Sequence, residues 1–198
     1  MGVEKRMADR CNTIRLYSFQ TDVVYQVLKR DGVCYSKEEY VRKKYKESAK
    51  VFINAYGWFV KEAQHIVPKP EGAEYPYWAF TDLYNVDQTG EGHVLTLDVP
   101  IGEAILFDMF DWTKIMQMHY IGENESEEAA FSEELKNMGM NEFQIMTSNF
   151  YPEQKARIQE SWKRLFGHQQ AIEAGDNSGV HSVQAGLWCI KGEWIVKE

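Results

Sequence analysis

Residues 182–197 read SVQAGLWCIKGEWIVK, and the alternation in this stretch decides what kind of sheet the chain builds. Val183, Ala185, Leu187 and Cys189 fall on one side of an extended strand, and Gln184, Gly186 and Trp188 on the other. Successive strand side chains point to opposite faces, so this is the period of a β-strand. Lys191-Gly192 then supplies a turn, and the end of the chain is expected to form a β-hairpin, an antiparallel unit.

The same period of two opens the chain, with Ile14, Leu16 and Ser18 against Arg15, Tyr17 and Phe19. Further strands are expected at 77–81, at 93–99, where Leu95, Leu97 and Val99 oppose Val94, Thr96 and Asp98, at 104–107 and at 142–148. Helices fall between them. Thr21 or Asp22 caps a short one, and Gly32 suits the left-handed position that ends it. Ser36-Lys37-Glu38-Glu39 reads as a capping box, followed by a long amphipathic helix that stops before Pro68. Asp111 and Ser126 are read as caps of two more helices, and Pro152 as the first residue of another, closed by Gly167. Residues 168–182 have little periodicity and read as a loop. This order lacks the regular βαβ rhythm of a doubly wound sheet. The expected fold is therefore α+β: a mostly antiparallel sheet, whole or split, with one long amphipathic helix and several shorter ones. A polar segment at 1–12 precedes a single domain at 13–198.

Composition narrows the function. In 198 residues, 44% are hydrophobic and 14% aromatic, enough apolar material to offset the entropy of ordering one core. The charge balance, 22 basic against 30 acidic residues, excludes bulk nucleic-acid binding, which needs the opposite sign. The apolar runs fall short of a bilayer span and the start MGVEKRMADRCN is not of signal-peptide type, so no membrane association and a cytoplasmic location are expected. Cys11, Cys34 and Cys189 form no CxxC pair and read as reduced thiols.

Local chemistry is sparse. Glu62 and His65 have the Glu-x-x-His spacing of di-iron helices, but no second copy exists and no metal is expected. Asp108 and Asp111 flank Phe110; two carboxylates can divide acid and base roles, or Asp111 can simply cap a helix. His93, His119, His168 and His181 are isolated in sequence. Arg42, Lys43, Lys46 and Lys50 gather on one helical face, as a solvated stripe or as an anion or partner patch. Trp78 and Trp188 share their strands with small or polar neighbours, and either could line a groove.

Five segments taken together, IRLYSFQ, YPYWAF, VLTLDVPIGEAILFDMFDW, QESWKRLFG and VQAGLWCI, resemble an uncharacterised bacterial and phage family, domain of unknown function 3841. The resemblance runs from about Ile14 to Val196; Thr113 stands where that family usually has a His after Asp-Trp. In layout the chain is also similar to ADP-ribosyltransferases, in which a split sheet grips NAD. That similarity implies NAD as cofactor, with Arg15 facing its diphosphate and Tyr17 or Trp78 stacking on a ring. It places Gln184 where the transferases carry a glutamate on the nicotinamide ribose. A carboxamide can bond a hydroxyl but lacks the charge that stabilises an oxocarbenium ion, so Glu193 or another carboxylate would have to supply it, or the cleft binds without reacting. The expected partner is a small nucleotide-like ligand. The other reading is a non-catalytic protein that sequesters a small anion or binds a protein partner.

Overall fold

The structure, a computed structural model, describes residues 12–45 and 49–196. Strands β1 (Thr13–Gln20), β3 (Tyr77–Phe80), β4 (His93–Pro100), β5 (Ile105–Asp108) and β6 (Val183–Leu187) form one sheet in the order β4-β1-β3-β6-β5. Every neighbouring pair in it is antiparallel. A second, two-stranded antiparallel sheet joins β2 (Val33–Tyr35) to β7 (Cys189–Lys191). The helices are α1 (Asp22–Asp31), α2 (Glu38–Tyr45), α3 (Ala49–Ala63), α4 (Met109–Met116), α5 (Glu125–Asn137), α6 (Glu142–Thr147), α7 (Pro152–Ser161) and α8 (Gln169–Glu173). The fold is α+β. None of the described helices is long and apolar enough to cross a membrane.

The period of two in the strands produces two cores, one on each face of the large sheet. Leu16, Ala79, Leu97, Leu106 and Ala185 are fully buried on the first face, against Leu28 of α1 and Ile190 of β7. On the second face Ile105 and Phe107 pack with Phe59 of α3, Trp112 of α4 and Trp162 beyond α7. Burying one such side chain contributes about 1.5–3 kcal/mol, so both layers are needed to hold the sheet. All five residues of β6 are buried. Gly186 is required there, because a Cβ at that position would lie 2.8 Å from the Phe59 ring.

Several local expectations stand. Thr21 precedes α1, Gly32 ends it at φ 75° with its N–H on the Leu28 carbonyl, and Pro152 opens α7. Others need correcting. The closing segment is not a hairpin: Trp188 alone separates β6 from β7, the two strands enter different sheets, and Gly192 starts a 3-10 turn. Trp188 turns aside because its indole N–H donates to the Val67 carbonyl at 2.7 Å. Residues 142–147 are helical, since Asn141 and Gln144 close a capping box around their amides. The cap of α4 is Asp108, which accepts from Phe110 N–H, and the cap of α5 is Asn124, which accepts from Glu127 N–H. Thus Asp111 and Ser126 lie inside their helices.

The long amphipathic helix appears as α2 and α3, on either side of residues 46–48, which lie outside the described residues. Its first amide, Glu38 N–H, is held by the Glu74 carboxylate, while Ser36 bridges to Tyr75. Of the four basic residues expected on its surface, Arg42 pairs with Glu38 at 2.6 Å. The side chains of Lys43, Lys46 and Lys50 lie outside the described residues. Within the expected loop at 168–182, α8 carries buried Gln169 and Ile172.

Candidate functional site

Register fixes which side chains share a sheet face. Tyr17 lies opposite Thr96 on β4 and Phe80 on β3; Phe80 lies opposite Gln184, and Gln184 opposite Phe107. These residues form one lateral row. On the same face, Arg15 lies opposite Asp98 and Trp78 opposite Gly186. Four of the five residues expected to form a site therefore share a face. β1 and β6 are not neighbours, however: β3 separates them, at about 4.8 Å per strand step.

Helices α3 and α4 cover only part of this face. Over β3, β6 and β5, Phe59 packs 5.1 Å from Trp78 and 5.6 Å from Phe107, and Trp112 lies 4.7 Å from Trp78, measured between ring centroids. The Trp78 indole N–H donates to the Tyr56 hydroxyl at 2.8 Å, so this ring is an edge of the core. Over β4 and β1 the face is open: Val94 and Arg15 are exposed, and Tyr17, Phe19, Phe80, Thr96 and Asp98 are half-buried.

Gln184 sits at the border between the covered and open halves. It is 3% exposed, and its carboxamide has no hydrogen-bond partner among the described residues. Its amide atoms are not sealed from solvent, as no fully buried side-chain nitrogen or oxygen among the described residues lacks a partner. Gln169 is the contrast. Its Oε1 accepts from Leu106 N–H at 2.5 Å, and its Nε2 donates to Ala104 at 3.1 Å and to Glu173 at 2.6 Å. Gln169 is paired wholly within the protein, whereas the Gln184 carboxamide is left to solvent or a ligand.

The remaining expected residues are placed differently. The Arg15 guanidinium is held by Asp98 through two hydrogen bonds, at 2.5 and 3.1 Å. That pair raises the guanidinium pKa above its ordinary value. Glu193 is exposed on the 3-10 turn Gly192–Trp194, beyond which Ile195 bridges to Leu97 on edge strand β4. It is on none of the strands that carry the other four. Cys34 and Cys189 are free and buried, and burial pushes the Cys189 thiol up to about 11; Cys11 lies outside the described residues.

A cleft of about 510 Å³ opens at the end of β5, where β6 begins. Asp108, the last residue of β5, is 3% exposed and accepts from the His181 imidazole Nδ1 at 2.8 Å. It also accepts from the amides of Phe110 and His181, both at 3.0 Å. Burial alone would raise this carboxyl, but the bonds from His181, Phe110 and Ser182 outweigh it and hold it below its ordinary value. Three residues on, Asp111 is raised by burial. Its nearest cation, Lys114, is 3.9 Å away and bonds Glu128 at 2.6 Å. His168 packs on Gly179, where a Cβ would come within 3.2 Å of the ring. Sequence reading marked Asp108 and Asp111 but left His181 isolated, since it lies 73 positions from Asp108 and only strand pairing brings the two together. Thr113, which departs from the family pattern, is exposed and donates to the Met109 carbonyl at 2.9 Å. The described residues contain no group of three or more His, Cys, Asp or Glu side chains that could hold a metal ion.

These features define an α+β domain with a half-open aromatic sheet face and a separate polar cleft. The chain belongs to the family described as domain of unknown function (DUF3841), whose model matches residues 15–196. Neither the curated proteins nor the solved structures contain a match to the chain.

Proposed function

We propose that this domain binds a nucleotide-like ligand, with NAD the first form to test, on the open half of the sheet face that carries Tyr17, Phe80 and Gln184. The observation that carries this reading is the Gln184 carboxamide, almost buried and without a hydrogen bond among the described residues. The carboxamide atoms reach solvent, so a ligand edge offering one donor and one acceptor can pair with both of its ends. Tyr17 and Phe80, half-buried in the same row, offer flat apolar area to a ring. Arg15, two residues along β1 from Tyr17, brings a guanidinium to the outer part of the face, where the three N–H donors that Asp98 leaves free can meet a diphosphate.

The chemistry favours retention of the ligand over glycosidic transfer. Gln184 carries no charge, Asp98 on this face is paired with Arg15, and Glu193 is on a turn outside the strands of this sheet. The test is thermal stabilisation by NAD, ADP-ribose and cyclic nucleotides. A ligand at a hundred times its dissociation constant adds about 2.7 kcal/mol, and Gln184→Ala is expected to abolish the shift. Release of nicotinamide from NAD would show ADP-ribosyl transfer or hydrolysis in place of retention. If no nucleotide stabilises the protein, the ligand reading fails and a protein partner becomes the better account of the open face.

A further inference from the structure

The cleft at the end of β5 is separate from the sheet face and has a different chemistry. Asp108 is held below its ordinary value, so it is ionised near neutral pH and can only accept hydrogen bonds. The Nδ1 of His181 must therefore carry a proton, and in the neutral ring Nε2 is left as an acceptor. The imidazole is not enclosed: 73% of its side-chain surface is exposed. Beside it stands Phe110, 51% exposed, with ring centroids 4.9 Å apart. An oriented acceptor next to an exposed aromatic ring provides a hydrogen bond and a stacking surface at one point.

Charge decides which molecules fit. Five carboxylates line the cleft, from Asp108, Asp111, Glu123, Glu125 and Glu128, against two permanent cations, Lys114 and Arg164. Both cations are already engaged, Lys114 by Glu128 at 2.6 Å and Arg164 by the Ile121 carbonyl at 2.8 Å. An anionic ligand would meet uncompensated negative charge, whereas hydroxyl groups can donate to carboxylates at no such cost. We propose that this cleft is a second ligand site, built for an uncharged polyhydroxylated molecule such as a free sugar. His181, which lines the cleft, accepts a hydrogen bond from a hydroxyl at Nε2, and Phe110, outside the lining but packed on His181, offers a ring face to the part of the ligand that extends past the imidazole.

The site can be tested on the whole protein by side-chain NMR with D-ribose, D-glucose and ribose 5-phosphate as probes. The two neutral sugars are expected to shift the His181 and Phe110 resonances, with the phosphorylated sugar weaker. His181→Ala and Phe110→Ala are each expected to weaken binding about tenfold, the equivalent of one hydrogen bond or ring contact. The imidazole nitrogen shifts read the tautomer directly. In the unchanged protein the neutral ring should carry its proton on Nδ1, and Asp108→Asn should abolish that preference while Phe110 stays in place. The proposal is overturned if the neutral ring is protonated on Nε2. It is equally overturned if ribose 5-phosphate binds more tightly than ribose, or if neither neutral sugar perturbs these residues at about 100 mM, well above the weak millimolar range.

Discussion

Arg15 and Asp98 face each other across β1 and β4, and their side chains meet in a two-point contact at the outer part of the open sheet face. Arg15 is exposed and Asp98 only half-buried, so solvent screens the pair and it adds little to stability. Its effect on recognition is larger: Asp98 takes the Nε and one Nη2 proton and leaves three N–H donors for a phosphate, but its own negative charge repels that phosphate. Asp98→Asn is therefore expected to leave the denaturation midpoint nearly unchanged and to tighten binding of any diphosphate-containing ligand. Arg15→Gln is expected to weaken it. Calorimetric titration of both variants checks the pair; equal affinities would remove Arg15 from the ligand reading.

The two buried glutamines should respond in opposite ways. Gln169→Leu strips partners from Leu106 N–H and the Ala104 carbonyl, each inside the fold, and should cost at least about 2 kcal/mol in urea unfolding. Gln184→Leu removes an amide with no partner among the described residues and should fall within about 1 kcal/mol of the unchanged protein, or exceed it. A large loss at Gln184 would mean that its amide is structural.

Gly186→Ala introduces a methyl group 2.8 Å from the Phe59 ring, and both sit in tightly packed layers. Overpacking of this kind costs about 1–3 kcal/mol. Urea unfolding should register it, and Phe59→Leu in the same chain should recover part of the loss.

Asp108 and Asp111 give opposite pH dependence. The Asp108 carboxyl is depressed in the fold, so its contribution is present above its ordinary value near 3.8 and fades as pH falls through the lower folded value. Asp111 is raised, so its contribution is present below 3.8 and fades as pH rises through the folded value. Asp108→Asn should destabilise at pH 7 and matter less with acidification below about pH 4, whereas Asp111→Asn should stabilise at pH 7. Denaturant unfolding of both variants from pH 3 to 8 measures the two trends.

Short-range physics made parts of this molecule legible from its sequence. The alternation around Arg15 and Tyr17 placed them on one face of β1, Gly32 and Pro152 punctuated their helices, and the mixed element order excluded a doubly wound sheet. Parity also placed Gln184 and Gly186 on one side of β6. What stayed hidden depends on tertiary partners. Glu74 caps a helix from 36 positions away. Trp188 leaves its strand for the Val67 carbonyl, so an unbroken period of two spans two different sheets. Asp108 and His181 meet only because β5 and β6 pair, which no local spacing encodes.

The single-residue step at Trp188 has a mechanical consequence. β6 lies in the middle of the large sheet and β7 in the small one, with the joint between them pinned by the indole. Neither sheet can slide without dragging the other, so a pull on the carboxyl end loads both sheets together and the domain should yield to force in one step.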